Sequence, residues 1–370
     1  MQESLFTSVK AGSLELGNRV VMSAMTRSRA ALGGLATSLT ALYYTQRASA
    51  GLMVTGSINV SAEGTGFLGT EGLYTDAQVA AWRQVTDAVH AQGGRIAAQL
   101  NHCGRLSHTS LHGGAQPPGA STVPADAPVF AYDDLGNPGQ VAASAPRAMS
   151  TAQVRAAVDD FAAAAAAARR AGFDAVEVQA ANGLLTEQFF SPDINTREDA
   201  YGGSLANRAR FLLEVTDAVT GAVPGLPAGV KLSPGGEVND IPPYPDWPEL
   251  QLHVISELNR RDVAYITLAN QAATLGRGGY DTGFAAQARA ARVGLLILGG
   301  GYGGASAAEA IADRRADLIA FGRPFLANPD LLARLRAGYS LAEPDLGRLY
   351  GGGAEGYTDY PPMPADDLAR

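Results

Sequence analysis

The sequence predicts an α/β protein, a (β/α)8 TIM barrel with a long insertion after strand 3. Short β-branched or apolar runs alternate with longer helical patterns through almost all of the 370 residues. Eight such strand-helix units can be placed, which suits a closed barrel better than an open doubly wound sheet. One connection, from His102 to Ser150, is too long for an ordinary loop.

Taken in order, the first strand is read at Arg19–Ser23, with a helix beginning near Leu39. The second, Leu52–Gly56, leads to a helix from Asp76. There Val79, Trp82, Val85 and Val89 recur at three- and four-residue spacing and define a face that packs on the sheet. The third, Arg95–Leu100, precedes the 102–150 segment, with its Q-P-P-G-A turn and the aromatics of V-F-A-Y-D-D, expected to be a lid or capping element. A helix from Thr151 runs through the alanines after Phe161. Strands at Ala175–Val178, Gly229–Leu232, Val263–Leu268, Gly294–Leu298 and Leu318–Phe321 then alternate with helices from Ser204, Asp246, Gly283, Ala305 and Asn328. The last helix reads as capped by Asn328 with Pro329 at its first position. Residues 1–370 form one domain in this reading, with the Gly/Pro-rich tail from Gly351 to Arg370 wrapping the barrel surface.

Composition bounds the partners. A net charge of -8 repels phosphate backbones and anionic lipid, so nucleic acid and membrane surfaces are excluded and a small molecule is expected. Cys103 is the only cysteine, which rules out an intrachain disulfide and a cysteine-based zinc site and fits a cytoplasmic setting. The amino terminus lacks the apolar core of a signal peptide, and no run reaches the roughly 20 apolar residues of a membrane span. Lysine occurs only at Lys10 and Lys231, while arginine, alanine and glycine abound, a bias that points to a high-GC bacterial source. A homo-oligomer is compatible with all of this.

Active sites of such barrels lie at the carboxyl ends of the strands. After the seventh strand, Gly299, Gly301 and Gly304 match G-x-G-x-x-G. A dinucleotide fingerprint opens its own βαβαβ module, whereas this one is the seventh of eight units. The glycines, with F-G-R-P-F after the eighth strand, suit instead the phosphate site that barrels build from their last two loops, with Arg323 adding charge; tight turns without a ligand are the alternative. Glu177 and Glu237 could form a carboxylate pair for glycoside hydrolysis. Glu177, however, neighbours Val176 and Val178 and need not share the face of Gln179, which argues against it. His102 and His108 lack metal-ligand spacing and an adjacent acid, though either could carry a proton at the strand-3 rim.

Across nearly the whole chain the sequence resembles the Old Yellow Enzyme family of FMN-dependent ene-reductases. The resemblance rests on L-G-N-R-V-V-M-S-A-M-T-R, Y-Y-T-Q-R-A-S-A-G-L, A-W-R-Q-V-T-D-A-V-H-A-Q-G-G-R-I-A-A-Q-L, N-T-R-E-D-A-Y-G-G-S-L-A-N-R-A-R-F, F-G-R-P-F-L-A-N-P-D-L and G-Y-T-D-Y-P. It implies FMN held by the Ala24-Met25-Thr26 segment, with Thr26 near the flavin O4/N5, Gln99 at the pyrimidine edge, and Lys231 beside N1/O2 where arginine is usual. Gly300, Gly301, Gly322 and Arg323 would hold the phosphate, and Tyr350 would line the substrate pocket.

The departures fall in V-Q-A-A-N-G-L-L. The family pattern supplies His, then Asn or His three residues on, then a proton-donating Tyr two residues later. Here these are Gln179, Asn182 and Leu184, and Ala24 replaces a usual proline. The two amides can polarise a carbonyl, but Leu184 cannot give a proton. The expected activity is NAD(P)H-dependent reduction of an activated C=C bond in a specialised pathway, with the proton from water, Tyr350 or an insertion residue such as Tyr132 or His108. The alternatives are an FMN-dependent dehydrogenase or redox-neutral isomerase in biosynthesis and, more remotely, a barrel that binds flavin or ligand without turnover.

Overall fold

A computed structural model describes residues 3–261, 263–276 and 278–364. The barrel strands are β1 (Val20–Met22), β2 (Leu52–Val54), β3 (Ile96–Asn101), β4 (Ala175–Ala180), β5 (Ala228–Leu232), β6 (Tyr265–Ala269), β7 (Leu295–Gly299) and β8 (Leu318–Phe321). Each pairs in parallel with the next, and β8 pairs with β1, closing the sheet. The outer helices are α1 (Ser38–Thr45), α2 (Asp76–His90), α3 (Thr151–Arg170), α4 (Leu205–Ala222), α5 (Trp247–Asn259), α6 (Thr282–Ala291), α7 (Gly304–Ala312) and α8 (Leu331–Ala337).

Local chemistry sets the helix starts. The Thr37, Thr75 and Ser150 side chains each accept from the backbone N–H three residues on, and their own backbone N–H groups donate to the side chain of that residue, so α1, α2 and α3 open with capping boxes. The apolar stripe of α2 is buried as its spacing predicts, and the Trp82 indole N–H donates to Gly72 O at 3.2 Å. Inside the barrel, Val21, Leu52, Val54, Ala97, Ala175, Tyr265, Ile297 and Leu318 form the packed lower core. Leu14 and Leu16, from a hairpin pairing Val9–Ala11 with Leu14–Leu16, close its floor, so polar chemistry is confined to the opposite end.

The structure corrects the sequence reading at three places. β4 continues to Ala180, so Gln179 is a strand residue, and Asn182 begins the turn that follows Ala181. Glu177 and Gln179, two residues apart, share the inward face of β4, as the period of a strand demands. Asn328 does not cap α8: it ends a short helix, Arg323–Ala327, with its backbone outside the helical region, as the residue before a proline is biased to be. Its amide donates to Pro324 O and Ala342 O at 2.8 and 3.0 Å and accepts from Ala342 N–H.

The 102–150 segment is ordered. Pro118–Gly119 pairs with Arg147–Ala148, and an antiparallel hairpin joins Pro128–Tyr132 to Pro138–Ala142. Cys103, Leu106, Ala125, Ala127 and Leu184 bury a small apolar core between this segment and the β4 loop. The buried Arg105 bonds Pro124 O and Asp240 O, tying the segment to the β5 loop as well. At the other end of the chain, Tyr357 stacks on Tyr43 at 4.2 Å, so the tail packs on the barrel as far as described; residues 365–370 lie outside the described residues.

Candidate active site at the carboxyl end of the barrel

Four neighbouring strands bring polar side chains to one layer of the interior. Register sets Glu177 of β4 opposite Gln99 of β3, and Gln179 opposite Lys231 of β5, which in turn faces Thr267 of β6. All five are buried. Glu177 Oε1 accepts from Gln99 Nε2 at 2.7 Å, and Oε2 from Thr267 Oγ1 at 3.0 Å. Gln99 Oε1 accepts from Ser57 Oγ at 3.0 Å, so the Gln99 amide orientation is fixed from both ends. Burial drives the Glu177 carboxyl up and the Lys231 ammonium down, and each charge resists the other's shift. Gly229 makes the layer possible, because a Cβ there would collide with the Tyr265 ring.

The loop after β4 is held in an unusual conformation. Asn182 and Gly183 both adopt positive φ, 60° and 73°, and Asn182 can do so because its short amide tolerates the left-handed region. Gln271 Nε2 donates to Asn182 Oδ1 at 2.8 Å, committing the amide oxygen and leaving the NH2 as the half that can serve a ligand. Asn239 Nδ2 donates to Asn182 O at 2.8 Å. Gln179 Oε1 is buried without a hydrogen-bond partner among the described residues, an atom that a bound N–H or O–H would complete. Leu184 is buried and apolar in its surroundings.

Around the rest of the rim, half-buried Ala24, Met25 and Thr26 leave β1. Gly56 lets the β2 exit press against them: a Cβ there would stand 2.8 Å from Met25 O. Gly300 and Gly301 follow β7 with φ of 111° and 75°, and a Cβ on Gly300 would strike Asn270 O. Gly322 precedes the Arg323–Ala327 helix beside Met25, with the Arg323 side chain exposed. These loops form a cradle of small residues at helix starts, the donor set an anionic group needs. Tyr350 is 54% exposed on the tail, next to Gly351, whose N–H donates to Arg27 O at 3.0 Å beside the β1 exit.

The other sequence candidates are placed differently. His102 is buried, accepts from Gly104 N–H, and is pushed down to about 3 by burial, which leaves it neutral and unable to donate as an acid near neutral pH. His108 Nδ1 pairs with Ser110 Oγ, and Tyr132 sits 38% exposed on the hairpin. Ser57, Glu177, Thr267, Glu187, Ser233 and Gln271 hold the site residues in place but were not singled out for that role. For Glu177 and Thr267 the strand period was the signal; for the others, which act from the loops and a short helix beyond the strands, sequence carried none.

Residues 4–342 match the family described as NADH:flavin oxidoreductase / NADH oxidase. The chain is 37% identical to 12-oxophytodienoate reductase 1 of Oryza sativa subsp. japonica over 363 residues, 96% of this chain and 92% of the relative. It is 36% identical to a chanoclavine-I aldehyde reductase of Penicillium roqueforti over 375 residues, 96% and 95% of the two chains. Among solved structures, morphinone reductase superposes with a TM-score of 0.93 at 43% identity, covering 97% of this chain and 96% of the other. Morphinone reductase in complex with tetrahydroNAD also gives 0.93 at 43% identity, covering 98% of both chains. The old yellow enzyme homologue from Zymomonas mobilis gives 0.91 at 34%, covering 97% and 99%.

Proposed function

Because the chain belongs to the NADH:flavin oxidoreductase family of Old Yellow Enzyme-like, FMN-dependent oxidoreductases, we propose that it reduces an activated C=C bond in a small molecule bearing a carbonyl or similar electron-withdrawing group. A nicotinamide is the reductant. The observation that carries the reading is the amide pair at the end of β4: Asn182, whose own oxygen is already committed to Gln271, and Gln179 beside the buried Lys231, each with an amide NH2 to offer a carbonyl.

The residues present fit FMN. Thr26 would meet the ring near O4/N5, Gln99 its pyrimidine edge, and Lys231 the N1/O2 side; Gly300, Gly301, Gly322 and Arg323 would take the phosphate, with Ala24 and Met25 lining the β1 wall. FMN, when bound, accepts hydride from the nicotinamide and delivers it to the substrate β-carbon. Lys231 supplies positive charge where negative charge develops on the ring, its desolvation making that charge effective. Asn182 and Gln179 donate to the substrate oxygen as charge builds there. Leu184 supplies apolar surface and no proton, so the α-carbon proton comes from water entering the rim or from the exposed Tyr350, whose neighbour Gly351 is bonded to Arg27 O.

The buried Leu184 also favours a second reading, in which the same pair orients a substrate for dehydrogenation or redox-neutral isomerisation, reactions that need no acid at that position. Incubating the FMN-loaded protein anaerobically with NADPH and cyclohexenone separates the two. Stoichiometric cyclohexanone supports reduction. NADPH consumption or binding without cyclohexanone, together with desaturation of a saturated ketone, contradicts it.

A further inference from the structure

We propose that Glu187 is the positioning residue for Asn182, holding the left-handed Asn182-Gly183 turn through its carboxylate so that substrate anchoring depends on that carboxylate's ionisation. This rests on Asn182 being a substrate anchor. Glu187 is buried beneath the turn, in a short helix, Leu185–Gln188, that starts just after Leu184. Its Oε2 accepts from Gly183 N–H at 2.6 Å. Its Oε1 accepts from Ser233 Oγ at 2.7 Å, and that same hydroxyl accepts from Asn182 N–H at 3.0 Å. Two successive backbone N–H groups, which no regular ladder would satisfy in this conformation, therefore end on one carboxylate, one directly and one through Ser233.

In the ionised form Glu187 accepts both bonds as charge-assisted ones; a protonated carboxyl has to donate to the Ser233 hydroxyl instead, so that bond reverses and the charge assistance is lost. Burial works against that ionised form and pushes the group up to about 7, resisted by the bonds from Gly183 and Ser233. The titratable and charged groups around it are Tyr244, with Arg208 and Asp246 paired behind it, and, towards the insertion, Arg105 held to Asp240 and a neutral His102. None of these cations is bonded to Glu187 among the described residues, so the turn itself is what stabilises the charge. As pH falls through neutrality the carboxylate protonates, the bonds it makes to Gly183 N–H and Ser233 lose their charge-assisted strength, and the Asn182-Gly183 turn is held less firmly, with Gln271 left as the partner of the Asn182 amide oxygen.

The test is binding of cyclohexanone, a carbonyl ligand that cannot be reduced at a C=C bond, to the oxidised FMN-loaded protein, followed by the flavin absorption between about pH 5.5 and 8.5. The wild type is expected to bind about tenfold more weakly at the acid end, the size of one lost hydrogen bond to ligand. Glu187→Gln and Ser233→Ala are expected to bind weakly and without that pH dependence, while FMN affinity stays at the wild-type value. Flat wild-type affinity across the range, or a Glu187→Gln profile that follows the wild type, overturns the proposal even if the variants fold poorly, since the first needs no variant. Asn182→Ala separates the two levels. If it leaves affinity unchanged, the anchoring reading and this proposal both fall; if it weakens binding while the Glu187 and Ser233 variants do not, only this proposal falls.

Discussion

Gln99 Nε2 donates to Glu177 Oε1 at 2.7 Å across the β3–β4 pair, so the amide expected at the flavin edge rests on a buried carboxylate that also shares the interior with Lys231. A charge in that position offsets part of the ammonium's field in a medium of low dielectric. Replacing Glu177 by Gln keeps the shape and removes the charge. The bound FMN midpoint potential is expected to rise by tens of millivolts, about 30 mV for each ~1.4 kcal/mol of lost repulsion in a two-electron couple. Lys231→Met should lower it. Spectroelectrochemical titration gives both values, and an unchanged potential in Glu177→Gln contradicts a charge on Glu177 opposing that of Lys231.

Gly300 has φ of 111°, and a Cβ there would meet Asn270 O. Gly300→Ala is thus strained in backbone and in space. FMN affinity, measured by quenching of flavin fluorescence on titrating apoprotein, should fall at least about tenfold. Wild-type affinity in this variant would remove the β7 loop from the phosphate site.

Leu184 packs with Cys103, Leu106, Ala125 and Ala127. Leu184→Tyr restores an acid at this position at a cost of about 1–3 kcal/mol in overpacking. Turnover of cyclohexenone should rise, with a ceiling near the ~10²–10⁴-fold reach of general acid catalysis, while the melting temperature drops. No gain in a variant that still binds FMN would show that proton supply does not limit the reaction.

Glu71 is buried and pushed up to about 7 by burial from an ordinary 4.5. A raised carboxyl favours the folded state in its protonated form, so its contribution is fully present below about 4.5 and is lost as pH rises through about 7. Glu71→Gln removes the penalty of ionisation. The variant's melting temperature should exceed the wild type's by more at about pH 8 than at about pH 5, a difference equivalent to about 3 kcal/mol at most. Equal differences at the two pH values contradict the burial argument.

The barrel was legible because periodicity is local: the stripe of α2 and the eight apolar runs are visible in consecutive residues, and the rule that chemistry gathers at strand ends pointed to the stretch holding Gln179, whereas Gln99 and Lys231 were named through the family resemblance. Glu177 was misjudged by its apolar neighbours, although two residues from Gln179 is the same face of a strand. Asn328 looked like a cap because Asn-Pro is a helix-start signal, but its amide found Pro324 O and Ala342 O, the second contributed by chain beyond the helix. Glu187 and Gln271 act on Asn182 through contacts made by different loops, and Gln271 lies 89 residues away in sequence. Such pairings arise only when the barrel closes.

The most direct measurement is an anaerobic spectral titration: reduce the FMN-loaded protein with NADPH, add cyclohexenone, and follow the return of the oxidised flavin bands. Prompt reoxidation in the wild type, slowed by at least about tenfold in Asn182→Ala and Gln179→Ala, is the predicted result. A flavin that NADPH reduces but cyclohexenone leaves reduced would contradict C=C reduction of simple enones by this amide pair.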